Sequence, residues 1–101
     1  MMKTMLPVWG LLMMLGAGAA HATGAMTCDS GDPAGWQSQE ALSEKIIAEG
    51  WQVRRVKVDG GCYEVYGTTP EGDRVEAYFD PITLETLLVS RRGEILFRKG
   101  E

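Results

Sequence analysis

The hydrophobic period of the chain changes at Gly50, and that change constrains the fold more than any other feature. Before it, Leu42 and Ile46 stand four apart, with Ala41 and Ile47 beside them. This is the stripe of an amphipathic helix. After it, the sequence alternates at period two and is rich in β-branched and aromatic residues, as strands are. Ser38 predicts the helix start, because its hydroxyl can accept a free amide hydrogen of the first turn. Glu40 suits the positive end of the helix dipole. The helix is expected over about 39–49, with Gly50 taking the left-handed position after it.

Residues 51–58 read as the first strand, with a slip in alternation between Val53 and Val56 that predicts a bulge or a late strand start. Asp59-Gly60-Gly61 is a hairpin turn. Residues 62–68 form the second strand, and Thr69-Pro70-Glu71-Gly72 the next turn. Residues 73–79 form the third strand, which Asp80-Pro81 ends. Residues 86–90 are a fourth strand, and Arg92-Gly93 turns it into a fifth over 94–98. The expected class is α+β, one N-terminal helix on an antiparallel meander of three to five strands. Such a sheet buries one face and leaves the other more open.

The residues before the helix say where the chain works. Lys3, an apolar run from Met5 to Ala19, and small residues at Ala20 and Ala22 make the three parts of a secretory signal peptide. A retained membrane anchor is the competing reading, but the run is short and glycine-containing for a span. The expected organisation is therefore a cleaved signal peptide over 1–22, a leader over 23–37 and a folded domain over 38–98. The expected location is the periplasm or beyond, with no membrane insertion after cleavage. The glycines of the leader, with Asp32-Pro33, argue against regular structure there. Trp36 is expected to anchor it to the core.

Removing 22 of 101 residues leaves 79, one small domain, and takes the net charge from −4 to −5 with the loss of Lys3. That balance excludes nucleic acid as a partner, which calls for clustered Lys and Arg. Arg54-Arg55-Lys57, Arg91-Arg92 and Arg98-Lys99 read as solvated strand faces and ends. Cys28 and Cys62 are the only cysteines. In an exported domain with a marginal core they point to a structural disulfide. A loop of about 35 residues would contribute roughly 3–4 kcal/mol in the chain-entropy account. A redox pair would more often be Cys-x-x-Cys, and a zinc site needs more ligands than survive without His21. Lipidation of Cys28 is disfavoured by Thr27 before it.

Signal cleavage leaves no histidine for a Ser-His-Asp or Cys-His pair. The sequence holds no phosphate-cradling glycine loop and no metal-ligand cluster. No catalytic residue, metal or cofactor is expected. Glu64 and Glu76 fall on neighbouring strands and could form a carboxylate pair; the plainer reading is a polar face on which Arg74 offsets them. If Tyr63, Val65, Val75, Ala77 and Phe79 face the helix, then Cys62, Glu64, Tyr66, Arg74, Glu76 and Tyr78 face away. Glu64, Tyr66, Arg74, Glu76 and Tyr78 are thus the candidate binding face. The competing reading makes the tyrosines cross-strand support alone. Because Cys62 shares this face, the disulfide should draw the leader over it near Tyr66 or Tyr78.

Taken together, Trp36-x-Ser38-x-Glu40, the helix, Gly50-Trp51-x-Val53-Arg54, Gly61-Cys62-Tyr63-Glu64-Val65-Tyr66 and Arg74-Val75-Glu76-Ala77-Tyr78-Phe79-Asp80-Pro81 resemble the PepSY domain family, over about residues 28–88. The resemblance implies a cystatin-like fold and a role in restraining a peptidase or assisting folding, without catalytic residues. Two features depart from the family. Its Asp-Pro-x-Thr-Gly turn has Leu84 in place of glycine, which implies a differently built turn. The chain also continues through Ile95-Leu96-Phe97, read as an added strand, with a surface for a partner as the competing reading. The expected function is a non-enzymatic module that binds an envelope protein or peptide, through a strand edge or the Tyr66/Tyr78 face. The alternative is an accessory subunit of an envelope redox, transport or sensor system.

Overall fold

The computed structural model describes residues 24–101. The expected signal peptide over 1–22 and its expected cleavage site lie outside the described residues. One α-helix, α1 (Gln39–Ala48), precedes five strands: β1 (Gln52–Asp59), β2 (Cys62–Thr68), β3 (Arg74–Phe79), β4 (Thr86–Arg91) and β5 (Glu94–Arg98). The strands form one antiparallel sheet in the order β1-β2-β3-β4-β5.

The Ser38 hydroxyl accepts from the Ala41 amide at 3.0 Å and starts α1 as expected. Leu42 and Ile46 are its fully buried residues. They meet Tyr63, Val65, Val75, Ala77 and Phe79 from the sheet, with Leu84 and Val89. Each large apolar side chain taken from water here contributes about 1.5–3 kcal/mol. The assignment of sheet faces from alternation therefore holds.

The two short hairpins follow from their turn residues. Gly60 and Gly61 (φ 62° and 82°) and Arg92 and Gly93 (φ 52° and 83°) each take the consecutive left-handed conformations of a two-residue turn. Gly60 and Gly61 are also required by what passes over them: a Cβ would strike the Met26 carbonyl at Gly60 and the Cys28 carbonyl at Gly61.

Both outer strands are bulged. In β1 the pairing skips Arg54, between Val53 and Arg55. In β5 it skips Leu96, between Ile95 opposite Ser90 and Phe97 opposite Val89. Of the two expectations for β1, a bulge or a late start, the bulge is the one seen. Together the two bulges break the regular ladder at each rim, a device that blunts edge-to-edge pairing. This works against the strand-edge mode of binding expected from the sequence.

The leader departs from expectation in one respect. It contains a single 3-10 turn, Pro33–Gly35, because Asp32 caps the Ala34 amide and Pro33 suits the first position. Trp36 anchors as expected. Its ring meets Tyr63 edge-on at 5.6 Å, and its indole N–H donates to the Ser30 carbonyl at 3.0 Å.

The turn after β3 corrects a second expectation. Leu84 does not force a new geometry; it takes the left-handed conformation itself, at φ 64°. Its amide donates to the Asp80 carbonyl at 2.7 Å, and Asp80 Oδ1 accepts from the Ile82 amide at 2.7 Å. The side chain is 4% exposed and belongs to the core under α1. Its burial offsets about 1–2 kcal/mol of left-handed strain.

Candidate binding face

The face of the sheet turned away from α1 is divided into a covered half and an open half. On the covered half, Cys28 is bonded to Cys62. Cys62, Tyr78 and Leu88 form a second small cluster, against which Met26, Cys28 and Leu87 pack. The Cys28 amide donates to the Gly60 carbonyl at 2.7 Å, so the leader is held by backbone as well as by sulfur. The expectation that the disulfide draws the leader onto this face holds, at the Tyr78 end.

This cover removes two of the five expected binding residues from solvent. Tyr78 is 1% exposed, and its hydroxyl donates to Asp59 Oδ2 at 2.8 Å. Burial, then the hydrogen bond to Asp59, pushes its pKa far above the ordinary tyrosine range. Glu64 is fully buried opposite Lys57 on β1 and Tyr78 on β3. Neither Glu64 carboxylate oxygen has a hydrogen-bond partner; the Lys57 ammonium stands 3.8 Å from Oε1. Burial pushes the carboxyl upward, Lys57 opposes that, and Asp59 and Glu76 reinforce it.

The expected carboxylate pair is not a cross-strand pair. Glu64 stands opposite Tyr78, and Glu76 opposite Tyr66 and Ser90. Nor is Arg74 the cation that offsets Glu64; Lys57 fills that place.

Tyr66, Arg74 and Glu76 remain on the open half. Tyr66 is half-buried, with the Arg55 guanidinium and the Lys57 ammonium each 5.8 Å from its ring centroid. Burial and the nearby Glu64 raise its hydroxyl's pKa. A trough of about 270 Å³ crosses this half, lined by Arg54, Tyr66, Arg74, Glu76, Ser90 and Arg92. Sequence reasoning placed three of these on the binding face and read Arg54 and Arg92 as solvated charges. The signals for them were the slipped alternation at Arg54 and the Arg-Gly turn, which carry those arginines to the trough.

Nine basic side chains lie among the described residues. Lys45, Lys57, Arg91, Arg98 and Lys99 pair with carboxylates; Arg54, Arg55, Arg74 and Arg92 do not. All four unpaired arginines border the open half or the Tyr66 ring. An arrangement of this kind can bind and orient an anionic group through charge-assisted hydrogen bonds. Among the described residues no cluster of metal-ligating side chains accompanies it.

Comparisons with curated proteins and with solved structures return no match. A family model, described as peptidase propeptide and YPEB domain, matches residues 8–89. The match takes in the leader, α1 and the sheet through most of β4, and β5 follows it. With that coverage, the chain belongs to the PepSY family of peptidase propeptide and YPEB domains.

Proposed function

We propose that this protein is an exported, non-enzymatic module of the cell envelope that binds a protein or peptide and restrains a peptidase. The observation that carries the reading is the open half of the sheet face. It presents a half-buried aromatic ring among unpaired arginines, in a chain whose family is that of peptidase propeptides. Aromatic and arginine side chains are the types that dominate recognition surfaces. The covered half serves as scaffold, with the leader sealed over Tyr78. Recognition through a face also accords with the bulges that interrupt both strand edges.

The test is affinity capture from the native envelope, with the oxidised protein lacking residues 1–22 as bait. Identification of a peptidase, followed by slowing of its turnover on addition of the protein, supports the reading. Capture of a membrane cytochrome, transporter or sensor in its place moves the assignment to an accessory subunit. Capture of no component above a bait-free control counts against a binding role.

A further inference from the structure

Three surfaces could take a ligand. One is the apolar groove of about 320 Å³ beside Trp51, Leu96 and Phe97; nothing around it identifies an occupant. A second, between α1 and β1, carries Glu40 and Glu44 against Arg54 and Arg55, so its charges offset one another. The third is the arginine trough, whose chemistry selects its ligand. Resting on the reading just given, we propose that the trough binds a short acidic segment of a partner polypeptide, in extended form, across the strands.

The charge of the chain is segregated. The whole protein is acidic, at −4, yet the trough itself sets Arg54, Arg74 and Arg92 against Glu76, with Arg55 and Lys57 beside it over the Tyr66 ring. The register places these groups in two rows. Arg55, Tyr66, Glu76 and Ser90 lie along one row. Thr68 and Arg74 lie along the next, toward the sheet end where Arg54 and the Arg92 turn stand.

Two of the three trough arginines are delivered by backbone irregularities. Arg54 is the extra residue of the β1 bulge. Arg92 holds a left-handed conformation, φ 52°, at a turn position where asparagine, aspartate or glycine is the favoured choice. Strain of this sort gathers at functional sites.

Glu76 decides between anionic ligands. A bare phosphate dianion offers it only repulsion, and a lipid phosphodiester is repelled likewise, leaving only a headgroup hydroxyl or amine to approach it. A peptide brings N–H donors for the Glu76 carboxylate together with side-chain carboxylates for the guanidinium groups. Three strand spacings, about 14 Å, separate β1 from β4, a span that takes about four or five residues of extended chain.

The experiment measures fluorescence anisotropy of a labelled peptide of six glutamates, with a six-glutamine peptide as its neutral control. The oxidised protein is titrated in at low and moderate salt. The expected result is binding of the glutamate peptide at least tenfold tighter than the glutamine peptide, weakening severalfold as salt rises. The triple variant Arg54→Gln/Arg74→Gln/Arg92→Gln should lose at least tenfold. Arg91→Gln, an equal type of charge change at an arginine paired with Asp73 and Glu94, should bind as the unaltered protein does. Unaltered melting of both variants shows that the fold is kept. Equal binding by the triple variant, no glutamate-peptide binding, or binding only of phosphatidylglycerol vesicles overturns the proposal. If the triple variant captures a native peptidase as well as the unaltered protein does, the acidic-segment site falls and the binding module stands. If no partner is captured but the peptide results hold, the site stands and the partner-binding reading falls.

Discussion

The Tyr78 hydroxyl donates to Asp59 Oδ2 at 2.8 Å, and the same oxygen accepts the Gly24 amide at 2.7 Å. One carboxylate thus joins the middle strand, the end of β1 and the start of the described leader. Tyr78→Phe keeps the packing against Cys62 and Leu88 but removes a hydrogen bond to a charged acceptor. A loss of about 1–2 kcal/mol is expected in urea unfolding, with the disulfide still formed.

The disulfide should carry more. It closes a loop with a sequence separation of 34, for which chain entropy gives roughly 3–4 kcal/mol. Cys28→Ser/Cys62→Ser is expected to lower the unfolding free energy by about that amount. It should also raise binding of an apolar dye, as the leader lifts from Tyr78 and Leu88. Unchanged dye binding would mean that Cys28 N–H···O=C Gly60 and the Trp36 anchor hold the leader without the sulfur bridge.

Leu84 should invert an ordinary order of substitution. Leu84→Ala forfeits buried side-chain contacts, typically about 2–5 kcal/mol, and keeps the left-handed strain. Leu84→Gly forfeits slightly more side chain but releases about 1–2 kcal/mol of that strain. The glycine variant is expected to be the more stable of the two, though less stable than the unaltered protein. Chemical denaturation of the pair decides it.

Glu64 sets a pH dependence. Its carboxyl is raised above the ordinary value of 4.5 in the folded protein, chiefly by burial. A raised folded value means that the folded state holds this proton more tightly than the unfolded chain. The contribution is therefore complete below 4.5 and is lost as pH rises through the folded value. Glu64→Gln should remove this slope. It should leave stability near that of the unaltered protein at pH 4 and increase it at pH 7, as read from denaturation midpoints across that range.

Much of the frame was legible because it follows from local rules. Ser38 and the Leu42–Ile46 spacing define the helix, and the clean alternation from Arg74 to Phe79 assigns the faces. The bulge in β1 showed as a slip in period. Tertiary placement was less visible. The place of Cys62 drew the leader to this face near Tyr66 or Tyr78, but nothing local said which of the two it covers, so Tyr78 stood among the candidate binding residues although it is buried. Leu84 was opaque for a different reason. A non-glycine residue in the left-handed region is chosen by its buried side chain, a long-range term. Arg54 and Arg92 looked like ordinary surface charges, since their convergence depends on a bulge and a turn at opposite sides of the sheet.

The skipped residues Arg54 and Leu96 stand in the first and last strands. A regular outer strand is a template that another strand of any origin can copy. Here both templates are misprinted by one residue, so an incoming strand that starts in register falls out of step partway along. The sheet has a built-in stopping rule. Apolar Ile95, Leu96 and Phe97 can therefore remain at the rim without turning the protein into the seed of a fibre.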